Sequence, residues 1–201
     1  MSSKFPLQFL LHTFFLLFIF GGCDIFDTRN PENPAENRSH FFTPTTDSLV
    51  IENLLYAIQE RNSTNYIKCF SDTARGENAF TFTPSQDAFI QHTAIFADWD
   101  LTSEKNYFEK LRISTIENTP SALSFSEQRR TESSDSVLFT AKYTLSFFHN
   151  KPFSRSARGY AEFLLSRNAA KGTWSIQRLS DFKITSDSTL TWSDWKALFN
   201  Q

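Results

Sequence analysis

The main change in the period of the chain's hydrophobic pattern lies near residue 120. Before that point, apolar residues recur three and four positions apart, which is typical of amphipathic helices. A brief alternation at Phe80–Phe82, closed by Pro84, interrupts them and predicts a short strand. The helical segments that the pattern predicts run from Asp47 to about Arg61, from Thr64 to Phe70, from Pro84 to Trp99, and over one or two further turns to Leu111, capped by Thr102 or Ser103.

After residue 120, apolar and polar residues alternate, which predicts strands with one buried face. The segment Ser136–Phe148 carries this alternation most clearly, since its odd positions are apolar from Val137 to Phe147. Shorter alternating runs lie at Leu123–Phe125, 157–165 and 174–184, and the polar run Glu127–Asp135 predicts a turn. Four such strands in succession predict an antiparallel meander, and helices followed by strands predict an α+β fold with the helices on one face of the sheet.

A last helix is predicted at the C-terminal end of the sequence. Thr191 and Asp194 fit the capping pattern of a hydroxyl residue followed three positions later by an acid. Trp192, Trp195 and Phe199 then share one side of a two-turn helix. So short a helix is not stable alone, so we expect it to dock on the domain's own body; a partner-binding tail is the alternative.

The order of these elements resembles the nuclear transport factor 2-like (NTF2-like) fold, also called cystatin-like or SnoaL-like. The resemblance rests on the topology of the elements from Asp47 to Ile184 and not on any sequence motif. It implies N-terminal helices packed on a curved antiparallel meander, closing a cone around an apolar pocket. The side chains expected to line this pocket are Tyr56, Phe96, Trp99, Phe139 and Tyr143.

The N-terminal residues predict export rather than folding. The apolar run Leu7–Phe20 follows Lys4 and, at 14 residues, is shorter than the roughly 20 that span a bilayer as a helix. The sequence Phe20-Gly21-Gly22-Cys23 resembles the lipobox of bacterial lipoproteins. This resemblance implies a signal peptide at 1–22, lipid on Cys23 and a location in the bacterial cell envelope, on the inner or the outer membrane. Ordinary signal cleavage beside an incidental cysteine is the alternative.

Residues 23–45, which include Pro31, Pro34 and Pro44, have the composition of a flexible tether. The tether and the signal peptide would precede a single domain at 46–201. With Cys23 lipidated, Cys69 has no disulfide partner, and its apolar neighbours predict a small core residue.

Composition excludes several classes of function. A formal net charge of −2 without a basic stripe disfavours nucleic-acid binding. Five glycines, of which two precede Cys23, cannot form a phosphate-binding loop or a dinucleotide fingerprint. The chain also has no zinc-type spacing of His and Cys. We therefore expect no metal, cofactor or nucleic acid.

The resemblance to the NTF2-like fold implies that Asp98, His92, Tyr56 or Tyr143 could act as general acid or base if they face the pocket, with Asp98 and His92 as the main candidates. A carboxylate buried beside Trp99 would have its pKa raised and suit a general base, but Asp98 also fits a solvated position between two helices. The favoured interpretation is a membrane-anchored, non-catalytic domain that binds a small apolar ligand or an envelope protein. A small SnoaL-like enzyme using Asp98 or His92 as general acid or base is the alternative, and a structural envelope component is a third possibility.

Overall fold

The computed structural model of the protein describes residues 39–200. The predicted signal peptide, Cys23 and the tether up to residue 38 lie outside this range. The first described residues pack along the first helix, where the Asn53 side chain forms two hydrogen bonds with the backbone of Phe42, at 2.7 and 2.8 Å. In the part of the chain that is described, no helix is long and apolar enough to cross a bilayer.

Six α-helices and one 3₁₀ turn are described. The predicted first two helices are confirmed. The first begins at Asp47 as predicted, the second begins one residue early because Asn62 caps it, and both end two residues before the predicted bound. The helices are α1 Asp47–Gln59, α2 Ser63–Lys68, α3 Gln86–Gln91, α4 Thr93–Phe96, α5 Leu101–Ser114 and α6 Trp192–Asn200, with the 3₁₀ turn at Thr73–Arg75.

Two helical predictions between residues 84 and 114 are wrong in detail. The single helix expected from Pro84 to Trp99 is two short helices, because the backbone leaves the helical region at His92 (φ −133°, ψ 36°). Helix α5 is longer than expected and has 14 residues. It begins earlier because the Asp100 carboxylate accepts the backbone N–H of Ser103 at 2.8 Å, which satisfies a free donor of the first turn.

The strands form one five-stranded sheet of order β1-β5-β4-β3-β2. Strands β2 to β5 are antiparallel neighbours, which confirms the meander, and β1 pairs with β5 in parallel. The strands are β1 Thr81–Thr83, β2 Ser121–Glu132, β3 Ser136–Phe147, β4 Ser156–Asn168 and β5 Thr173–Phe182. The protein therefore has the expected mixed α+β architecture, with helices and a curved sheet.

The turn predicted at Glu127–Asp135 is wrong, because β2 continues to Glu132. The pairing of β2 with β3 shifts between Ser126 and Arg129, where Glu127 has a positive φ of 51°. Beyond this bulge both faces of β2 are exposed, so the sequence shows no alternation there. Arg130 lies on this strand and forms an ion pair with Asp47 at the start of α1.

One face of the sheet is buried. Strand β3 buries its odd-numbered side chains and leaves the even-numbered ones partly exposed. Phe139 is fully buried, with ring centroids 5.4 Å from Phe125 and 5.9 Å from Phe163. On α6, Trp192, Trp195 and Phe199 are all buried, which confirms that the last helix docks on the domain's own body.

Candidate functional site

Helix α6 begins with the predicted reciprocal cap. The backbone N–H of Thr191 donates to Asp194 Oδ2 at 2.7 Å, and the backbone N–H of Asp194 donates to Thr191 Oγ1 at 3.2 Å. These two bonds satisfy donors that a helix start otherwise leaves free. In the helix that follows, Trp192 and Lys196 are four residues apart and therefore face the same way.

A carboxylate on α5 is fully buried beneath α6. Glu104 accepts the Tyr66 hydroxyl at Oε1, 2.6 Å away, and the Trp99 indole N–H at Oε2, 2.9 Å away. The Lys196 ammonium donates to both carboxylate oxygens. Each of the two carboxylate oxygens therefore accepts two hydrogen bonds. A buried charge requires such partners, because it has lost its hydration. We call Glu104, Tyr66, Trp99 and Lys196 the Glu104 centre.

Aromatic rings surround the ammonium of Lys196. Its Nζ lies 4.3 Å from the ring centroid of Phe82, 4.9 Å from Tyr107, 5.2 Å from Trp99 and 5.6 Å from Trp192. Ring faces attract a cation within about 6 Å. Burial lowers the pKa of Lys196, whereas the charge of Glu104 and its hydrogen bonds act in the opposite direction. The rings of Phe82, Trp99, Tyr107 and Trp192 form what we call the aromatic cage.

A second buried carboxylate holds the start of α6. Asp181, near the end of β5, accepts the backbone N–H of Ser193 at 2.7 Å, the Ser193 hydroxyl at 2.5 Å and the Tyr143 hydroxyl at 2.7 Å. The backbone N–H of Trp192 donates to Tyr143 Oη at 2.7 Å. Burial raises the pKa of Asp181, while the hydrogen bonds from Ser193 and Tyr143 lower it. The position also suits an acid, because a helix start carries partial positive charge.

The contact between Tyr143 and Asp181 depends on the absence of a side chain at Gly159. Tyr143 on β3 is paired with Gly159 on β4, and its hydroxyl reaches β5 beyond it. A Cβ atom on Gly159 would lie 2.5 Å from the Phe182 carbonyl oxygen and 2.8 Å from Tyr143 Oη. Glycine is therefore required by this close approach rather than by a turn.

Some buried polar atoms near α6 lack a partner. Within residues 39–200, Trp195 Nε1 forms no hydrogen bond. Trp192 Nε1 lies beside Tyr107 Oη, but the two atoms do not have the geometry of a hydrogen bond. Burial raises the pKa of Tyr107. The interface of α6 with the rest of the domain is thus well packed and incompletely hydrogen-bonded.

The structure separates the residues expected to line the pocket. Trp99 belongs to the Glu104 centre, and Phe96 packs on it at 5.4 Å between ring centroids. Tyr143 donates its hydroxyl to Asp181, and Phe139 packs among the phenylalanines of the sheet. Tyr56 is half-buried and stacks on the ring of His40 at 5.1 Å.

The two main candidates for acid–base chemistry are not in this interior. Asp98 is exposed and His92 is half-buried. Asp98 is therefore not the carboxylate buried beside Trp99 that the sequence suggested as a general base. Among residues 39–200, no group of three or more His, Cys, Asp or Glu side chains could hold a metal ion.

Cys69 is buried, as expected of a core residue, and burial raises the pKa of its thiol.

Sequence reasoning did not single out Glu104, Lys196 or Asp181. A positional signal existed for each of them. Lys196 follows Trp192 by four residues, so it lies on the apolar side of α6. Asp181 is two residues after Leu179, which places it on the buried face of β5. Glu104 precedes Tyr107, Phe108 and Leu111 by three, four and seven residues, which places it on the apolar side of α5.

Comparison with solved structures identifies the fold. A protein of Novosphingobium aromaticivorans assigned as an aromatic ring hydroxylase superposes with a TM-score of 0.52, at 10% identity over 73% of this chain and 91% of that chain. A protein of Streptomyces avermitilis assigned as a dehydratase of the NTF2-like family gives 0.51, at 7% identity over 69% and 94%. A protein of the same Novosphingobium species assigned as a scytalone dehydratase also gives 0.51, at 8% identity over 72% and 89%. The chain therefore has the NTF2-like fold.

Sequence comparison adds no closer relationship. No protein-family model and no curated protein sequence matches the chain.

Proposed function

We propose that this protein is a bacterial envelope lipoprotein, anchored by lipid on Cys23, whose domain of NTF2-like fold is a non-catalytic module that binds a small ligand at the Glu104 centre. The residues between Cys23 and the domain serve as the tether in this proposal. The support for anchoring is the lipobox-like sequence Phe20-Gly21-Gly22-Cys23 after a short apolar run.

The Glu104 centre is the observation that carries the binding proposal. Small-molecule sites are lined mainly by apolar and aromatic groups, with a few polar groups that fix the ligand's orientation. Glu104 supplies one charge, Tyr66 and Trp99 supply neutral donors, and aromatic rings supply the apolar walls. The fold shared with proteins assigned as dehydratases supports a small-molecule-binding role.

The same centre argues against acid–base catalysis. A general base needs a free lone pair directed at the substrate. Both oxygens of Glu104 accept hydrogen bonds from the protein itself, and the Lys196 ammonium neutralises the charge. The carboxylate can therefore orient a ligand that replaces one of its partners. In this state, however, none of its lone pairs is free to contact a substrate.

Native mass spectrometry of the full-length protein, extracted from membranes, tests the binding proposal. We expect a bound small molecule in the wild type and its loss in the Glu104→Gln variant. Glu109→Gln is the matched control, because Glu109 lies on the same helix and forms a partly exposed pair with Arg112. Ligand-free wild-type protein, together with an unchanged melting temperature across a panel of small molecules, would contradict the proposal.

A further inference from the structure

We infer that the aromatic cage and Glu104 form a binding site for an organic ammonium group, that Lys196 occupies this site as an internal ligand, and that a free ammonium compound competes with it. This inference rests on the proposed function, because it names the ligand class of the same site.

The recognition groups belong to the body of the domain rather than to α6. Glu104 and Tyr107 lie on α5, Tyr66 on α2, Phe82 on β1, and Trp99 just before α5. Helix α6 supplies only Lys196 and one of the four rings, that of Trp192. Withdrawal of α6 would therefore leave a carboxylate, two neutral donors and three ring faces in place.

This set of groups selects a positive charge. A carboxylate attracts a cation directly, and the faces of aromatic rings attract it through their quadrupole. The second carboxylate, Asp181, adds to the negative potential at Lys196 and favours its charged form. A neutral ligand of the same size would gain only the apolar contacts, and an anion would be repelled.

The Lys196 side chain, rather than the packed apolar side of α6, is the replaceable occupant of this site. A buried ion pair gains little net stability, because the cost of removing both charges from water offsets their attraction. In addition, Trp195 Nε1 is buried without a partner, and Trp192 Nε1 lacks a well-formed one within the described chain. Both indole groups gain hydrogen bonds to water when α6 is released, which lowers the cost of release.

Chemical rescue of a truncated lysine tests the site in the full-length protein. Lys196→Ala removes three methylene groups and the ammonium, which n-propylammonium matches atom for atom. We expect n-propylammonium to raise the melting temperature of this variant by roughly 3 °C or more, since a ligand that binds only the folded state stabilises it. The isosteric neutral compound 1-propanol should give a clearly smaller shift. Lys110→Ala is the control, because Lys110 is exposed on α5 and its truncation opens no buried site.

A wild-type measurement tests competition and does not depend on the folding of the variant. Hydrogen exchange of the α6 amides should become faster in butylammonium chloride than in sodium chloride of equal concentration. Equal rescue by 1-propanol, or α6 exchange that does not respond to butylammonium, would overturn the ammonium site. After such a result, a bound neutral molecule found by native mass spectrometry would still support the small-ligand proposal. If no bound molecule were found, both proposals would be wrong.

Discussion

Lys196 and Glu104 form an ion pair in which neither side chain exposes any surface to solvent. The pair joins the last helix of the described chain to α5, 92 residues earlier in sequence. An unpaired charge in such a place would be far more costly than a neutral side chain of similar size. The two residues are therefore expected to tolerate joint replacement much better than single replacement.

The first prediction concerns this pair. Glu104→Gln and Lys196→Met should each lower the free energy of unfolding by about 3–5 kcal/mol, because each leaves the other charge buried and unpaired. The double variant should cost clearly less than the sum of the two. Urea denaturation of the three variants measures both quantities.

The pair Glu109 and Arg112 is the matched control for this cycle. It lies on α5, but both side chains are partly exposed. Glu109→Gln and Arg112→Met should each cost less than about 1 kcal/mol, since surface pairs contribute little. Single variants at 104 and 196 that cost no more than these controls would show that the buried pair is not formed in solution.

The second prediction concerns the docking of α6. Deletion of residues 190–201 should lower the melting temperature strongly and increase binding of a hydrophobic dye, because it uncovers the surface that Trp192, Trp195 and Phe199 bury. Differential scanning fluorimetry and dye titration measure the two effects. An unchanged melting temperature would mean that α6 does not dock on the domain.

The third prediction concerns pH. The His149 ring is buried, its Nε2 donates to the Ser154 carbonyl at 3.0 Å, and its Nδ1 accepts the backbone N–H of Lys151 at 3.3 Å. Both contacts are satisfied only by the neutral ring, and burial lowers the pKa of His149 from its ordinary 6.5. The unfolded chain therefore binds a proton that the folded state does not, and stability should fall as the pH drops below about 6.5.

The variant His149→Gln isolates this contribution. Glutamine retains a donor for Ser154 but does not titrate, so the variant should lose stability less steeply than the wild type below pH 6.5. The free energy of unfolding, measured in urea between pH 5 and pH 8, gives the two slopes. Parallel curves would show that His149 is not held neutral.

The fourth prediction concerns the buried face of the sheet. Phe139→Ala should lower the free energy of unfolding by about 3–5 kcal/mol, the usual cost of removing a fully buried phenylalanine. Phe182→Ala, at a position that is 44% exposed on the same sheet, should cost much less. Similar losses for the two variants in urea denaturation would contradict the assignment of faces.

The fifth prediction concerns anchoring. Cys23→Ala should abolish uptake of labelled palmitate and release the protein from the membrane fraction, because the proposed lipid attachment site is lost. Cys69→Ala is the control and should keep the label, since Cys69 is buried in the core. A Cys23→Ala protein that still incorporates palmitate at the wild-type level would rule out the lipoprotein proposal.

The periodicity of the sequence predicted most of the fold because most elements bury only one face. The strand Ser136–Phe147 and the cap of α6 were predicted nearly to the residue, since alternation and the Thr191–Asp194 spacing are local signals. The outer half of β2 was missed because both of its faces are exposed. Its strand conformation comes from pairing with β3, which local sequence does not encode.

The interior could be predicted only in part. Aromatic side chains such as Trp99 and Tyr143 were placed inside correctly, because apolar bulk is itself the signal for burial. Glu104 was missed because charged residues are almost never fully buried without a partner, and its partner Lys196 is remote in sequence. Such a pair becomes visible only when α5 and α6 are brought together in three dimensions.

The close packing at Gly159 restricts which residues can occupy two positions in related sequences. Because Gly159 has no side chain, the Tyr143 side chain can pass over it, and the Tyr143 hydroxyl donates to Asp181. A larger residue at 159 would meet both the Tyr143 hydroxyl and the Phe182 carbonyl oxygen, so it is compatible with the fold only if Tyr143 is replaced and β4 and β5 also move apart. In homologous chains with tyrosine at position 143, we therefore expect glycine at position 159.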